Sequence, residues 1–552
     1  MLSIAPPPSI VIHHGHVWSA SSPATALAIG QDRILATGSD AAMLALAGPA
    51  TRVIDARGGL VLPGFHDAHV HFLNGARNLR NLEVSAETTL DGMLGRIEEF
   101  ARAHPERDWL TGRGWFYAVF PGGMPDRSLL DRVVPDRPVA LEAYDGHTTW
   151  VNSPALQRLG ITAATPDPPR GEICRDAAGE PTGVLKEAAM DLVDRQLPAP
   201  SRDEDIASLR DAMTLAFRHG ITSVQEAGAE IEQFAIYDAL ADAGRPRIRI
   251  RLGQQMKPGL PLREWERRLA EWEPLAFPRR ADPFVAGGIV KAYADGVIES
   301  GTAAMLEPYE GMAWDQPGAL GRPQWEQGEL GSAVRVADAR GWQVQIHAIG
   351  DRAVRIALDA YQGAAALNGP RERRHRIEHI ETVHPHDVTR FGELGVVASM
   401  QPYHADPEPA QLDLFTARIG PARAARGWAW GSILRAGGRV AFGSDWPIVS
   451  FDPRLGLNSA VNRTTRDGRP PGGWLPNERL FMDQALAGYT SGAAYAGWQD
   501  GQRGTLRPGM LADVTIVDRD LFTAPDAIMN VSVSATIVGG LLAYERNSDT
   551  SD

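Results

Sequence analysis

The sequence predicts an α/β fold. It is a (β/α)8 TIM barrel with a small β-sandwich domain built from both termini and a large insertion after the first barrel strand. Three observations carry this. Eight short apolar runs in the middle of the chain alternate with helical stretches. Strand-like runs also cluster at both chain ends, which commonly lie close together. About 150 residues separate the first barrel run from the second, far more than one βα unit needs. Residues 1–62 and 500–552 are therefore read as the β-sandwich, 63–80 and 209–499 as the barrel, and 81–208 as the insertion over its mouth.

The elements follow in order. Strands are expected at 9–13, 26–29, 33–37 and 52–55, between turn signals such as His14-Gly15 and Gln31-Asp32. The C-terminal partners are 513–517, 535–538 and 542–544. Barrel strands are expected at 60–65, 222–226, 248–252, 289–292, 343–347, 375–379, 396–400 and 440–443. Most are short apolar runs, as strands covered on both faces must be. Leu262, Trp265, Leu269 and Trp272 recur at helical spacing, as do Val354, Ala357 and Leu358.

Composition narrows the function. The 552 residues are 43% hydrophobic and 22% charged, ordinary for a soluble globular protein. This excludes wholesale disorder, collagen and coiled coil. A net charge of −13 supplies no field to draw phosphate in, so no nucleic-acid partner is expected. The basic run 371–376 reads as a solvated face. The single cysteine, Cys174, excludes an intrachain disulfide and a CxxC site. No window is apolar enough for a membrane span. Residues 1–10 lack a basic region and contain Pro6-Pro7-Pro8, which argues against a signal peptide. A cytoplasmic protein with a small-molecule substrate is expected, with no membrane partner; a homo-oligomer is compatible with the sequence. A short polar tail follows Arg546.

Position, not motif, singles out the chemistry. Fifteen histidines make a His-x-His pair cheap, and three occur: His14/His16, His69/His71 and His384/His386. The first sits in a turn of the β-domain and the last at a loop or helix start. His69/His71 follows the first barrel run, at the end where barrel active sites are built. His347 ends the fifth run, His379 the sixth, and Asp445 follows the eighth. Each alone has an ordinary structural explanation. Together, four histidines and an Asp at strand ends suit Zn²⁺ or a similar divalent ion.

These residues carry a resemblance. Pro63-Gly64-Phe65-His66-Asp67-Ala68-His69-Val70-His71 resembles the metal-binding signature of the amidohydrolase superfamily. The segments around His347, Arg376-Ile377-Glu378-His379 and Gly443-Ser444-Asp445-Trp446-Pro447 are similar to its family 3, which includes the N-substituted formamide deformylases. The segment 504–513 resembles the return into that superfamily's β-sandwich. The resemblance implies a metal-dependent hydrolase of a C–N bond, an amide, formamide or related group. It implies His69, His71, His347, His379 and Asp445 as metal ligands, with Asp445 also the general base. Lys291, on the fourth strand, falls at the position carboxylated in binuclear members. The cofactor expected is therefore zinc, one per chain, or two if Lys291 is carboxylated. The competing reading for Lys291 is a buried lysine paired with Asp295 or Glu299.

Segments 145–153 and 181–187 resemble family segments near the substrate pocket, which points to His147 and Glu187. Trp115 and Tyr117, in an aromatic cluster with Phe116 and Phe120, form either the insertion's own core or an apolar pocket wall. Arg113 or Arg352 offers a place for an anion. The alternatives are a mononuclear deaminase, an ester or carbamate hydrolase, or a non-catalytic scaffold. A deaminase usually shows His-x-x-Glu after the fifth strand, whereas His347 is followed by Ala348-Ile349-Gly350. No Gly-x-Ser-x-Gly elbow occurs, which disfavours a serine hydrolase.

Overall fold

The computed structural model describes residues 6–19, 21–197, 200–242, 244–326 and 328–546. The tail after Arg546, and residues 1–5 of the N-terminal segment, lie outside the described residues. Eight strands form one parallel sheet in chain order. They are β1 (Phe65–Val70), β2 (Ile221–Ala229), β3 (Arg249–Gln255), β4 (Val285–Tyr293), β5 (Gln343–Ala348), β6 (Arg376–His379), β7 (Val397–Met400) and β8 (Arg439–Phe442). The barrel is closed beyond the strand ends. Asp445 donates its backbone N–H to His69 O (2.7 Å) and His71 donates to Trp446 O (2.8 Å). Gly443 permits this approach, since a Cβ there would lie 2.5 Å from the His69 nitrogen.

Every residue of β1, β5, β6 and β7 is buried. Strands with no wet face must be apolar runs, and the few polar residues in them need a reason to be there. Outside the sheet, the helix Leu262–Ala276 buries Trp265 and Leu269, and Asp351–Asn368 buries Val354, Ala357 and Leu358. Full burial of each large apolar side chain contributes about 1.5–3 kcal/mol.

The first strand differs from the sequence expectation. The run 60–65 splits between two sheets. Leu60–Pro63 pairs antiparallel with Val514–Val517 and parallel with His16–Val17, so it belongs to the terminal sheets. β1 begins at Phe65. Both pieces are apolar and fully buried, and only their partners distinguish them. His69 consequently lies within β1 and not after it.

The terminal segments form a four-stranded and a five-stranded sheet. Ile12, Leu27 and Ile29 of one share a core with Val61, Val514 and Ile537 of the other. A buried bidentate pair ties this part to the barrel: Arg249 on β3 donates to Asp513 at 2.6 and 2.8 Å. Between β1 and β2 lies a six-stranded sheet running from Leu82–Glu83 to Pro181–Glu187, with its own core around Ile97, Trp115, Leu141 and Trp150.

The basic run 371–376 is not a solvated face. Arg371, Arg373 and His375 converge on Asp338, at the end of helix Glu329–Ala339. Arg376 is fully buried and bonds Glu378. Local composition misled because the neutralising carboxylate comes from another element. Among the described residues, no helix is long and apolar enough to cross a membrane.

Candidate metal centre and substrate cavity

Five strands deliver the expected ligands to one end of the barrel. His69 lies in β1, Lys291 in β4 and His347 in β5; His379 ends β6, and Asp445 follows β8. His71 caps the helix Phe72–Asn78 just beyond β1. Ligand atoms of His69, His379 and Asp445 all lie within 4.8 Å of one another. His69 Nε2 and His71 Nε2 are 3.3 and 3.4 Å from Asp445 Oδ1, and His379 Nδ1 is 3.8 Å from Oδ2. Lys291 Nζ is 3.5 Å from His69 Nε2. The His347 and His379 rings are 4.5 Å apart.

These groups fit a metal ion. His379 Nδ1 and Asp445 Oδ1 are buried without a hydrogen-bond partner, a costly state for polar atoms that nothing else fills. His379 (φ 74°) and Asp445 (φ 62°) both hold left-handed backbone, unusual away from glycine and common at functional sites. The donor set is imidazole and carboxylate, which suits Zn²⁺ and related ions.

A second layer of residues fixes these side chains. Glu378 Oε2 lies 2.5 Å from His69 Nδ1, which turns Nε2 toward Asp445. Arg376 holds Glu378 at 2.9 and 3.0 Å, and also donates to Ala68 O and Ser399 Oγ. Asp67 accepts the N–H of His69 (3.1 Å) and of Ser444 (2.9 Å), joining the ends of β1 and β8. Asp295 accepts from Ala304, Ile349 and Gly350, and its Oδ1 is 3.5 Å from His347 Nε2. It is therefore not the partner of Lys291. Among the described residues, no carboxylate forms an ion pair with Lys291.

The electrostatics favour positive charge at this point. Burial pushes the Asp445 carboxyl up, but His69, His71 and His379 hold it well below the usual carboxylate range. Burial holds His347 and His379 well below the ordinary imidazole value, so both are neutral donors. Burial and Lys291 pull His69 down, yet Asp445 and Glu378 raise it overall. Burial lowers Lys291 to about 8, against the pull of Glu378 and Asp445.

A model of the amidohydrolase family matches residues 52–544. The chain belongs to the amidohydrolase family. Protein LONG AFTER FAR-RED 3 of Arabidopsis thaliana is 32% identical to it over 572 residues, covering 98% of this chain and 93% of that one. N-substituted formamide deformylase of Arthrobacter pascens is 28% identical and covers 96% of each. The crystal structure of an uncharacterized metal-dependent hydrolase from Pyrococcus furiosus superposes with a TM-score of 0.69 at 25% identity. It covers 93% of this chain and 99% of that one.

In this amidohydrolase, a cavity of about 800 Å³ opens above the ligand cluster. The insertion supplies one wall, with His147, Asp145, Phe116 and Tyr144. His147 Nδ1 is 3.0 Å from Glu187 Oε2. Burial lowers His147, but Glu187 raises it to about 9, so the pair carries opposite charges at neutral pH. Trp115 and Tyr117 do not line the cavity. Trp115 bonds Leu141 O inside the insertion's core, and the Tyr117 hydroxyl pairs with Thr148. The intervening Phe116 stacks on Tyr144 and takes the cavity side, because successive residues of an extended segment face opposite ways. Arg113 lines the cavity, but its guanidinium is spent on Pro447 O and Tyr144 O. Arg352 is not among the lining residues.

His404 was missed. It follows β7 in Gln401-Pro402-Tyr403-His404, and its Nε2, unbonded, lies 3.8 Å from Asp445 Oδ2. Applying the strand-end rule to the seventh strand as to the others would have found it. Glu378 was visible as the neighbour of His379, but its partner His69 is 309 residues away.

Proposed function

We propose that this amidohydrolase is a metal-dependent hydrolase of a C–N bond, an amide or formamide, with Asp445 as general base. One observation carries the reading: His379 Nδ1 and Asp445 Oδ1, both buried and unbonded, converge with His69 at the C-terminal end of the barrel. His69, His71, His347, His379 and Asp445 would hold the metal. A divalent ion there supplies Lewis acidity and lowers the pKa of a bound water.

The chain's own groups do the rest. Asp445, ionised and hydrogen-bond deficient, takes the proton of the attacking water and returns it to the leaving nitrogen. Glu378 keeps the His69 ring in one tautomer. Lys291, with a pKa of about 8, holds a fraction of neutral amine at neutral pH. Addition of CO₂ to that amine, forming an N–C bond and releasing a proton, would make Lys291 an anionic ligand able to help hold the metal. Similarity to a protein named N-substituted formamide deformylase supports a formamide or amide as the substrate over an ester.

Elemental analysis of protein grown with zinc and bicarbonate tests this, together with an amide and formamide substrate panel. Two zinc ions per chain and amide turnover are expected. One ion would remove Lys291 from the metal site and bring the mononuclear reading forward. No metal after reconstitution would overturn the proposal.

A further inference from the structure

The walls of the cavity point to the kind of substrate. Glu299, Glu381 and Asp145 line it above the metal ligands. Glu381 and Asp145 are 6% and 8% exposed, and each keeps a carboxylate oxygen, Oε2 and Oδ2, with no hydrogen-bond partner. Among the described residues, Arg113 is the only lysine or arginine lining the cavity, and backbone carbonyls occupy it. No Lys or Arg forms an ion pair with Glu299, Glu381 or Asp145 among the described residues; the basic groups beside them are His404, 3.7 Å from Glu381 Oε1, and His147, whose backbone N–H donates to Asp145 Oδ1 at 3.0 Å. Burial and the neighbouring Glu381 push Glu299 up to about 8, and burial raises Asp145 against the pull of His147, so a cation from outside the chain seated among them would favour their ionised forms and fill the open acceptors.

An aromatic wall stands beside them. Phe415, Trp428 and Trp474 line the same cavity, with ring centroids 4.8 Å (Phe415–Trp428) and 5.7 Å (Trp428–Trp474) apart. Trp428 donates its backbone N–H to Glu381 O at 3.0 Å, which seats the wall next to that carboxylate. Carboxylates with free acceptors beside aromatic faces suit an organic cation bearing N–H donors. A neutral donor would fill these acceptors with weaker bonds than an ammonium makes, and an anionic group would meet repulsion.

We infer that the substrate carries a protonated primary amine beyond its scissile bond, held by Glu299, Glu381 and Asp145 against the wall of Phe415, Trp428 and Trp474. The substrate class is then an N-acylated or N-formylated diamine or similar aminoalkyl amide. The inference rests on the cavity being the substrate site of the proposed hydrolase.

Calorimetric titration of the metal-loaded full chain with n-pentylammonium, 1-pentanol and pentanoate tests it. The ammonium should bind tighter than the alcohol by about tenfold or more, with pentanoate weakest. A Glu299→Gln/Glu381→Gln double variant should lose that advantage and keep its affinity for pentanol. Equal or weaker binding of the ammonium, no binding of any probe, or an unchanged preference in the double variant would each overturn the inference. The last result would place the amine on the metal. The ranking on the unmodified protein decides even if the variant does not fold. Turnover of N-formylpentylamine separates the two readings. Hydrolysis without an ammonium preference leaves the hydrolase standing and removes the subsite. An ammonium preference without hydrolysis of any amide does the reverse.

Discussion

Asp338 and Asp445 are buried carboxylates at opposite ends of one barrel, and both are held below the usual carboxylate range. Asp338 is saturated by its own chain. Arg373 donates to it at 2.9 Å and Asn368 at 2.8 Å, His375 Nε2 lies 3.0 Å away, and Arg371 adds a further bond. Asp445 is ringed by histidines, yet Oδ1 makes no hydrogen bond. The same side chain, buried in both places, is a structural hub where its acceptors are filled and a candidate ligand where one is kept open. Burial alone does not separate the two roles; completeness of bonding does.

Several measurements break or sharpen that comparison. Asp445→Asn should lower kcat/KM by about 10²–10⁴-fold or more while the chain stays folded and metal stays largely bound. Near-normal turnover would remove Asp445 from the chemistry. Asp338→Ala should do the opposite. It leaves Arg373 and His375 buried without their anion, so stability should fall by about 3–5 kcal/mol in thermal or urea unfolding. Turnover per folded chain should hold, and a loss of turnover without a loss of stability would collapse the contrast.

Chelation addresses the open end alone. Metal removal should abolish turnover and lower the melting temperature, by the equivalent of about 2.7 kcal/mol for an ion held at 100 times its Kd. Zinc should restore both, in the Asp338→Ala variant as well. A chelated protein that melts unchanged would mean the unbonded atoms hold no ion.

The pH dependence is a finer test. Burial raises the Asp338 carboxyl, but hydrogen bonds from His375, Asn368 and Arg373 lower it overall. Its folded pKa lies below its unfolded value of about 3.9, so its contribution is full above pH 4 and is lost as the pH falls below that. The melting-temperature gap between wild type and Asp338→Asn should therefore be constant near neutrality and shrink below pH 4. A gap that grows on acidification would mean that Asp338 is destabilising in its ionised form. The smallest effects concern the insertion. Trp115→Phe should cost about 1 kcal/mol of stability and leave KM alone, whereas Phe116→Ala should raise KM a few-fold. The reverse pattern would put Trp115 back in the pocket wall.

Much of the site was legible because barrel active sites collect at one predictable place. His69, His347, His379 and Asp445 each stand out as polar residues ending or closely following apolar runs. His404 obeys the same rule, four residues past β7, although no motif marks it as His-x-His marks His69 and His71. Trp115 and Phe116 show the limit. They are adjacent aromatics, one in the core and one in the cavity, and a register of one residue decides between them.

The sequence by itself determined the fold class and the order of the barrel strands, and it named the candidate ligands, because short-range periodicity, turn chemistry and motifs are local properties of the chain. Only the tertiary structure decided which sheet claims Leu60–Pro63 and that Asp338 neutralises the 371–376 run. It also decided that Asp295 serves backbone N–H groups and not Lys291, and that carboxylates and tryptophans share one cavity wall. Each of those depends on a partner brought from far along the chain. Burial and hydrogen-bond completeness exist only once that partner is in place.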